Sequence, residues 1–273
     1  MEVSAVRLRS PGLTVELAAT LYLPDATACT FPGLVVAHGA GSNRARHEPF
    51  SREACLRGFG VLSVDLRGHG ESGGVADGPL DDDIIAAADF LRRHPAVNGA
   101  PICYRGSSMG GFYGLKAAAA GVFAAVALLC PANERLMLSL LGEAPHAGSD
   151  TETPRGEAPL GGTPGADRPG AGSQSEAPAA RWDVPSSRDY FLRQDSLALA
   201  AQVRYPVLVV HARDDDVVPL GDSLELAAHL AGDTTLVALS GGSHTSAQHD
   251  PAIHRLTARW LLDQLRSACT ART

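Results

Sequence analysis

Short runs rich in valine, leucine and isoleucine, at residues 34–37, 61–64, 102–104, 124–130, 207–210 and 235–239, recur along the chain. Between them lie longer stretches of mixed polarity, including 48–57, 81–93 and 109–120. An unbroken apolar run of this length is the mark of a strand buried on both faces, and its alternation with amphipathic helices predicts a parallel sheet covered on both sides. The fold class is therefore α/β. Ahead of this alternation, residues 3–8 and 14–23 are strand-like and are separated by Ser10-Pro11-Gly12, a turn signal. They predict an antiparallel hairpin at one edge of the sheet. The helix over 81–93 carries Asp81, Asp82 and Asp83 in its first turn and Arg92 and Arg93 in its last, which complements its dipole. Two further helices are expected, over 134–141 and 188–202.

The pattern lapses over residues 143–180. Six prolines, seven glycines and one large aliphatic residue, Leu160, offer too little apolar surface to offset the entropy of ordering. The expectation is one domain spanning 1–273, interrupted in its cap region by a disordered, low-complexity insertion. An insertion with so few apolar residues has little with which to close a hydrophobic lid. An open or loosely gated site is expected, with its contacts drawn from the flanking Leu136, Met137, Leu140, Trp182 and Tyr190.

Composition narrows the function. With 273 residues, 45% apolar and 19% charged, the chain can bury a substantial core. A net charge of -7 without clustered Lys/Arg runs argues against nucleic acid as a partner. The first residues lack a signal-like pattern, and the longest apolar run, 122–130, is too short to span a bilayer, so a cytoplasmic protein without a membrane partner is expected. Nothing in the sequence indicates an oligomeric state. The five cysteines are widely spaced without a C-x-x-C pair and are expected to be reduced and inert.

The run after strand 101–104 reads Gly106-Ser107-Ser108-Met109-Gly110-Gly111 and opens a helix-forming stretch. G-x-S-x-G between strand and helix is a nucleophile elbow: small residues two before and two after the serine relieve crowding in a strained turn that exposes Oγ. A serine hydroxyl needs a base within reach, and the base needs an acid to fix its tautomer. Both should follow, acid first. His211-Ala212-Arg213-Asp214-Asp215-Asp216-Val217-Val218-Pro219 succeeds one buried strand, and Gly241-Gly242-Ser243-His244 succeeds the next. His244 is the candidate base. Spacing alone does not separate Asp214, Asp215 and Asp216. His249 and His254, five residues apart, do not share a helical face, so no metal site is expected.

Taken together, His38-Gly39-Ala40-Gly41, Asp65-Leu66-Arg67-Gly68-His69-Gly70-Glu71-Ser72, the elbow at Ser108, the run ending Asp215-Asp216-Val217-Val218-Pro219, and His244 resemble the α/β-hydrolase superfamily. The likeness is to its serine aminopeptidase-like and small cytosolic esterase branch, and it covers the chain outside 143–180. The resemblance implies a mostly parallel twisted sheet with helices on both faces. It also implies that the acid is Asp215, by alignment on H-G-x-x-D-x-x-V-P, where Ala212 replaces the family's glycine. The oxyanion would be held by the backbone N–H groups of Ala40 and Met109. Asp65, Arg67 and His69 would be structural. The expected activity is hydrolysis of a small carboxylic ester, thioester or amide through an acyl-enzyme on Ser108, with a small acyl substrate as the partner and no cofactor. The alternatives are acyl transfer to an acceptor other than water and a non-catalytic binding protein on the same fold.

Overall fold

The computed structural model describes residues 1–9, 15–25, 30–143 and 179–270. In chain order its elements are β1 (Glu2–Leu8), β2 (Leu17–Leu23), β3 (Gly33–Ala37), a short 3-10 turn (Arg44–His47), α1 (Glu48–Leu56), β4 (Gly60–Val64), α2 (Asp81–Arg93), β5 (Ile102–Ser107) and α3 (Met109–Ala119). There follow β6 (Ala125–Leu129), α4 (Glu134–Glu143), α5 (Val184–Phe191), α6 (Ser196–Ala200), β7 (Val207–Ala212), α7 (Leu220–His229), β8 (Thr234–Leu239), α8 (His244–His249) and α9 (Pro251–Thr270).

The continuous apolar runs are explained by burial from both sides. Every residue of β3, β4, β5, β6 and β7 is buried. Side chains alternate across the sheet. Val35, Leu62, Tyr104 and Val126 pack with Leu91, Phe112 and Tyr113 on one face, while Leu34, Val36, Cys103 and Ala127 pack with Phe50, Phe59 and Leu261 on the other. Each fully buried Leu or Phe contributes roughly 1.5–3 kcal/mol, so both faces, and not one, hold the helices in place.

The eight strands run in the order β1-β2-β4-β3-β5-β6-β7-β8. β1 and β2 form the antiparallel hairpin, β2 joins β4 antiparallel, and the remaining pairs are parallel. This is the α/β-hydrolase fold with its N-terminal hairpin at one edge, as the sequence predicts. After β4 the chain crosses β3 to add β5 on the far side, so the ends of β3 and β5 sit side by side, with Ala37 paired to Gly106. The order of strands reverses at that point, which is where open α/β sheets hold ligands.

The helix expected over 188–202 is instead two helices, α5 and α6. Asp195 breaks it by turning its carboxylate back onto the N–H groups of Leu197 and Ala198, a helix N-cap that starts α6 afresh. The proposed insertion at 143–180 falls, from 144 to 178, outside the described residues. Among the described residues no helix is long and apolar enough to cross a membrane.

Candidate active site

Four loops meet at the edge where the parallel strands end. The first is the turn from β5 into α3. Ser108 has φ 50° and ψ -117°, a left-handed conformation that a residue with a Cβ adopts only when its surroundings impose it. The glycines on either side show what imposes it. A Cβ on Gly106 would strike the Gly110 carbonyl, and one on Gly110 would lie 2.6 Å from the carbonyl oxygen of His38. The turn is thus wedged against the loop after β3. Ser107 and Ser108 part company here: Ser107 Oγ is buried without a hydrogen-bond partner, whereas Ser108 is 9% exposed. Met109 opens α3, so its N–H is one of those a helix leaves without an internal acceptor.

The loop after β3 carries His38, Gly39 and Ala40. Gly39 lies against the elbow, and a Cβ placed on it would come 3.2 Å from Ser108 Cβ and 3.8 Å from Ser108 Oγ. His38 fixes the loop. Its Nδ1 donates to the Gly39 carbonyl at 2.8 Å and its Nε2 accepts the Leu66 N–H at 3.1 Å. Burial pushes this imidazole down to about 4, so it stays neutral and keeps the acceptor that Leu66 requires.

The loops after β7 and β8 bring Asp215 to His244. Asp215 Oδ1 accepts the N–H groups of Val217 (2.9 Å) and Val218 (2.8 Å), and Oδ2 accepts from His244 Nδ1 at 2.8 Å. Burial alone would raise the carboxyl, but the His244 bond and the Val218 and Val217 N–H groups overcome it and hold Asp215 at about 2. Of the three adjacent aspartates, Asp215 alone bonds the ring; Asp216 reaches only the His244 backbone N–H, at 3.4 Å. His211, which a search for partners of His244 passes over, supports the loop. Its ring is fully buried, with Nδ1 against Ser223 Oγ at 2.7 Å and Nε2 against the Val218 carbonyl at 2.9 Å. The histidine at the head of an H-x-x-x-D-x-x-V-P run was the signal available for it.

His244 Nε2 and Ser108 Oγ have no hydrogen-bond partner among the described residues, and no bond joins them to each other. Cys130 Sγ, an Asp215 oxygen and a His244 nitrogen lie within 4.8 Å of one another, the one set of potential metal ligands found among the described residues. The Asp215–His244 hydrogen bond already uses two of those groups. The Cys130 thiol is pushed far above its usual range by burial and stays protonated, a poor metal ligand. Cys55 and Cys103 are likewise buried and free.

Asp65 accepts from the Arg44 backbone and guanidinium and from the Glu71 N–H, and Arg67 is paired with Asp83 at 2.7 Å, so the loop after β4 is tied to the turn after β3 and to α2. Of the residues expected to line the substrate site, Met137 is part of the core and Tyr190 is bonded to Asp81 and Lys116. Trp182, Leu136 and Leu140 are partly buried against that core.

The sequence profile of the Alpha/beta hydrolase family matches residues 34–255, and the chain belongs to that family. An uncharacterized protein of Mycobacterium tuberculosis (strain CDC 1551 / Oshkosh) is 26% identical over 251 residues, covering 91% of this chain and 73% of that protein. Among solved structures, Est1E from Butyrivibrio proteoclasticus with ferulic acid bound is similar at a TM-score of 0.72 and 19% identity, covering 96% of this chain and 100% of that one. A hypothetical protein from Pseudomonas aeruginosa reaches a TM-score of 0.74 at 20% identity, covering 96% and 94%.

Proposed function

We propose that the protein is a serine hydrolase that cleaves a small carboxylic ester through an acyl-enzyme on Ser108. The observation that carries this reading is the 2.8 Å bond from His244 Nδ1 to a buried Asp215. It leaves Nε2 as the free, basic nitrogen, on the sheet edge where Ser108 stands in its strained turn. In the proposed reaction Ser108 Oγ attacks the carbonyl carbon and passes its proton to His244 Nε2. The N–H groups of Ala40 and Met109 hold the oxygen that becomes negative. As the tetrahedral species collapses, His244 returns the proton to the departing alcohol. Water then repeats the sequence on the acyl-enzyme, releasing the acid and restoring Ser108. Asp215 fixes the ring's tautomer and offsets the imidazolium charge. Thioesters and amides would follow the same steps. The structural likeness to Est1E, solved with ferulic acid bound, supports a carboxylic acid as the released product, at the level of the fold.

The test is labelling with a fluorophosphonate probe, with the adduct located by mass spectrometry, alongside hydrolysis of p-nitrophenyl acetate. The expected result is an adduct on Ser108. Ser108→Ala should abolish it and lower kcat by a factor of about 10⁴ or more. Ser107→Ala should keep both. An adduct on Ser107, or none in the folded protein, would overturn the reading.

A further inference from the structure

Arg105 lies on the nucleophile strand itself, three residues before Ser108, and it is fully buried. Its neighbours across the sheet are Val36 and Ala127, and its guanidinium lies 4.7 Å from the centre of the Phe50 ring. No carboxylate meets it among the described residues. A cation in such a place carries a large desolvation penalty, and apolar residues would fill the same space without it. The bonds it does make are specific. One terminal nitrogen donates to His47 Nδ1 at 2.7 Å, and the other donates to the backbone carbonyl of Gln248 at 2.7 Å.

Each of those partners belongs to a segment that carries part of the candidate site. Gln248 is in the last turn of α8, the six-residue helix that begins at His244. His47 ends the 3-10 turn that follows the His38-Gly39-Ala40 loop. The two segments are themselves linked, because His249, the residue after Gln248, stacks on His47 at 5.4 Å. The Gln248 carbonyl also receives His254 Nε2 from α9 at 3.0 Å. Burial, with the Arg105 charge next, keeps His47 well below the usual imidazole range and His249 at about 4. A neutral His47 is what leaves Nδ1 able to accept from Arg105.

We infer that Arg105 is a positioning residue for the reaction proposed above: it ties the nucleophile strand to the far end of the His244 helix and to the segment following the oxyanion loop. The inference rests on the serine-hydrolase reading. The logic is one of leverage. α8 is too short to hold its own direction, its first residue must meet Ser108, and fixing its last turn to the strand that bears Ser108 sets that meeting. Errors of about 1 Å in such alignments cost on the order of 10²-fold in rate.

The test compares Arg105→Met, which keeps volume and removes both donors, with Arg105→Lys, which can restore one bond, and with His47→Gln, whose side-chain oxygen can still accept from Arg105. Two readouts are taken well below the melting temperature: p-nitrophenyl acetate kinetics with the rate of fluorophosphonate labelling, and amide hydrogen exchange along the chain. Arg105→Met should label and turn over about 10–100-fold more slowly with KM nearly unchanged, and exchange should quicken over 244–250. Arg105→Lys should fall between it and the parent, and His47→Gln should stay close to the parent. A merely structural arginine would lower the melting temperature and leave kcat and the exchange of that one segment alone. A folded Arg105→Met that labels within about twofold of the parent would overturn the inference. Should that variant not fold, Arg105→Gln, whose shorter side chain gives up the two-pronged reach of the guanidinium, would overturn it as well if it kept parent-like labelling and parent-like exchange over 244–250. If the parent protein neither labels nor turns over esters, the hydrolase reading is what fails, and the exchange measurements still decide whether Arg105 holds α8.

Discussion

The loop after β4 and the loops after β7 and β8 present the same residue types at the same edge of the sheet, but their polar atoms are committed differently. In the first, Asp65 is taken up by Arg44 and the Glu71 N–H, while Arg67 lies between Asp83 and Asp77. His69 is buried, facing His38 at 5.0 Å and the edge of Trp182 at 5.5 Å. In the second, Asp215 is equally well bonded, yet its chain of bonds runs out at an imidazole 12% exposed, whose Nε2 meets no hydrogen-bond partner among the described residues. A closed network fixes a loop. A network left open at a basic nitrogen can hand a proton to something that is not part of the protein.

The largest expected effect sharpens the open side of this comparison. Asp215→Asn removes the charge that faces imidazolium and allows the wrong tautomer, so kcat for an ester substrate should fall by about 10²–10⁴. Asp214→Asn and Asp216→Asn, measured in parallel, should each cost less than about tenfold, since neither side chain reaches the ring. A greater loss at Asp216 than at Asp215 would move the acid to the neighbouring position.

The closed side should respond in stability instead. Arg67→Leu strands Asp83, a fully buried carboxylate whose two oxygens are taken by the Arg67 backbone and guanidinium. Breaking one partner of a buried pair costs about 3–5 kcal/mol. Urea denaturation should show a loss of that size, with kcat/KM of the folded variant within about threefold of the parent. A hundredfold drop in kcat/KM with stability intact would show that the loop after β4 takes part in the chemistry and that the contrast between the two clusters is false.

How much of this the sequence made legible depends on what each feature demands of its residues. The elbow was visible because Gly106 and Gly110 pack where no Cβ fits, so the geometry writes itself into residue identity. The hairpin and parallel strands were visible because burial on one or both faces dictates the apolar pattern. Asp215 was not separable from its neighbours by spacing, since the choice among three adjacent carboxylates is made by backbone direction in the loop. The break between α5 and α6 was hidden by an apolar pattern that runs through it, and only Asp195 hinted at a new cap. Arg105 was invisible for a different reason: its key acceptor is a backbone carbonyl 143 residues away, which leaves no trace in the identity of Gln248.

The smallest expected effect concerns where the closed network after β4 touches the loop after β3, at His69 and His38. Burial pushes these imidazoles down to about 4 and about 3, from the 6.5 of an exposed histidine. The unfolded chain therefore binds protons that the folded protein refuses, and stability falls as pH drops below 6.5. The slope is about 1.4 kcal/mol per pH unit for each ring until its folded pKa is reached, or about 2 kcal/mol each by pH 5. Asp215 behaves in the opposite sense: held at about 2 against 3.8, its contribution is fully present above 3.8 and is lost only as pH falls through 2. It is silent in this window. His38 is the better ring to test, because protonating it removes the Nε2 acceptor of Leu66 and so the tie between the loop after β3 and the loop after β4. Replacing it by glutamine removes the titration while keeping a side-chain acceptor. Urea denaturation at about pH 7 and about pH 5 should show the parent losing roughly 2 kcal/mol more than His38→Gln. Equal losses in the two proteins would mean that His38 already accepts a proton in the folded state, and that the loop beside Ser108 is more open to water than its burial indicates.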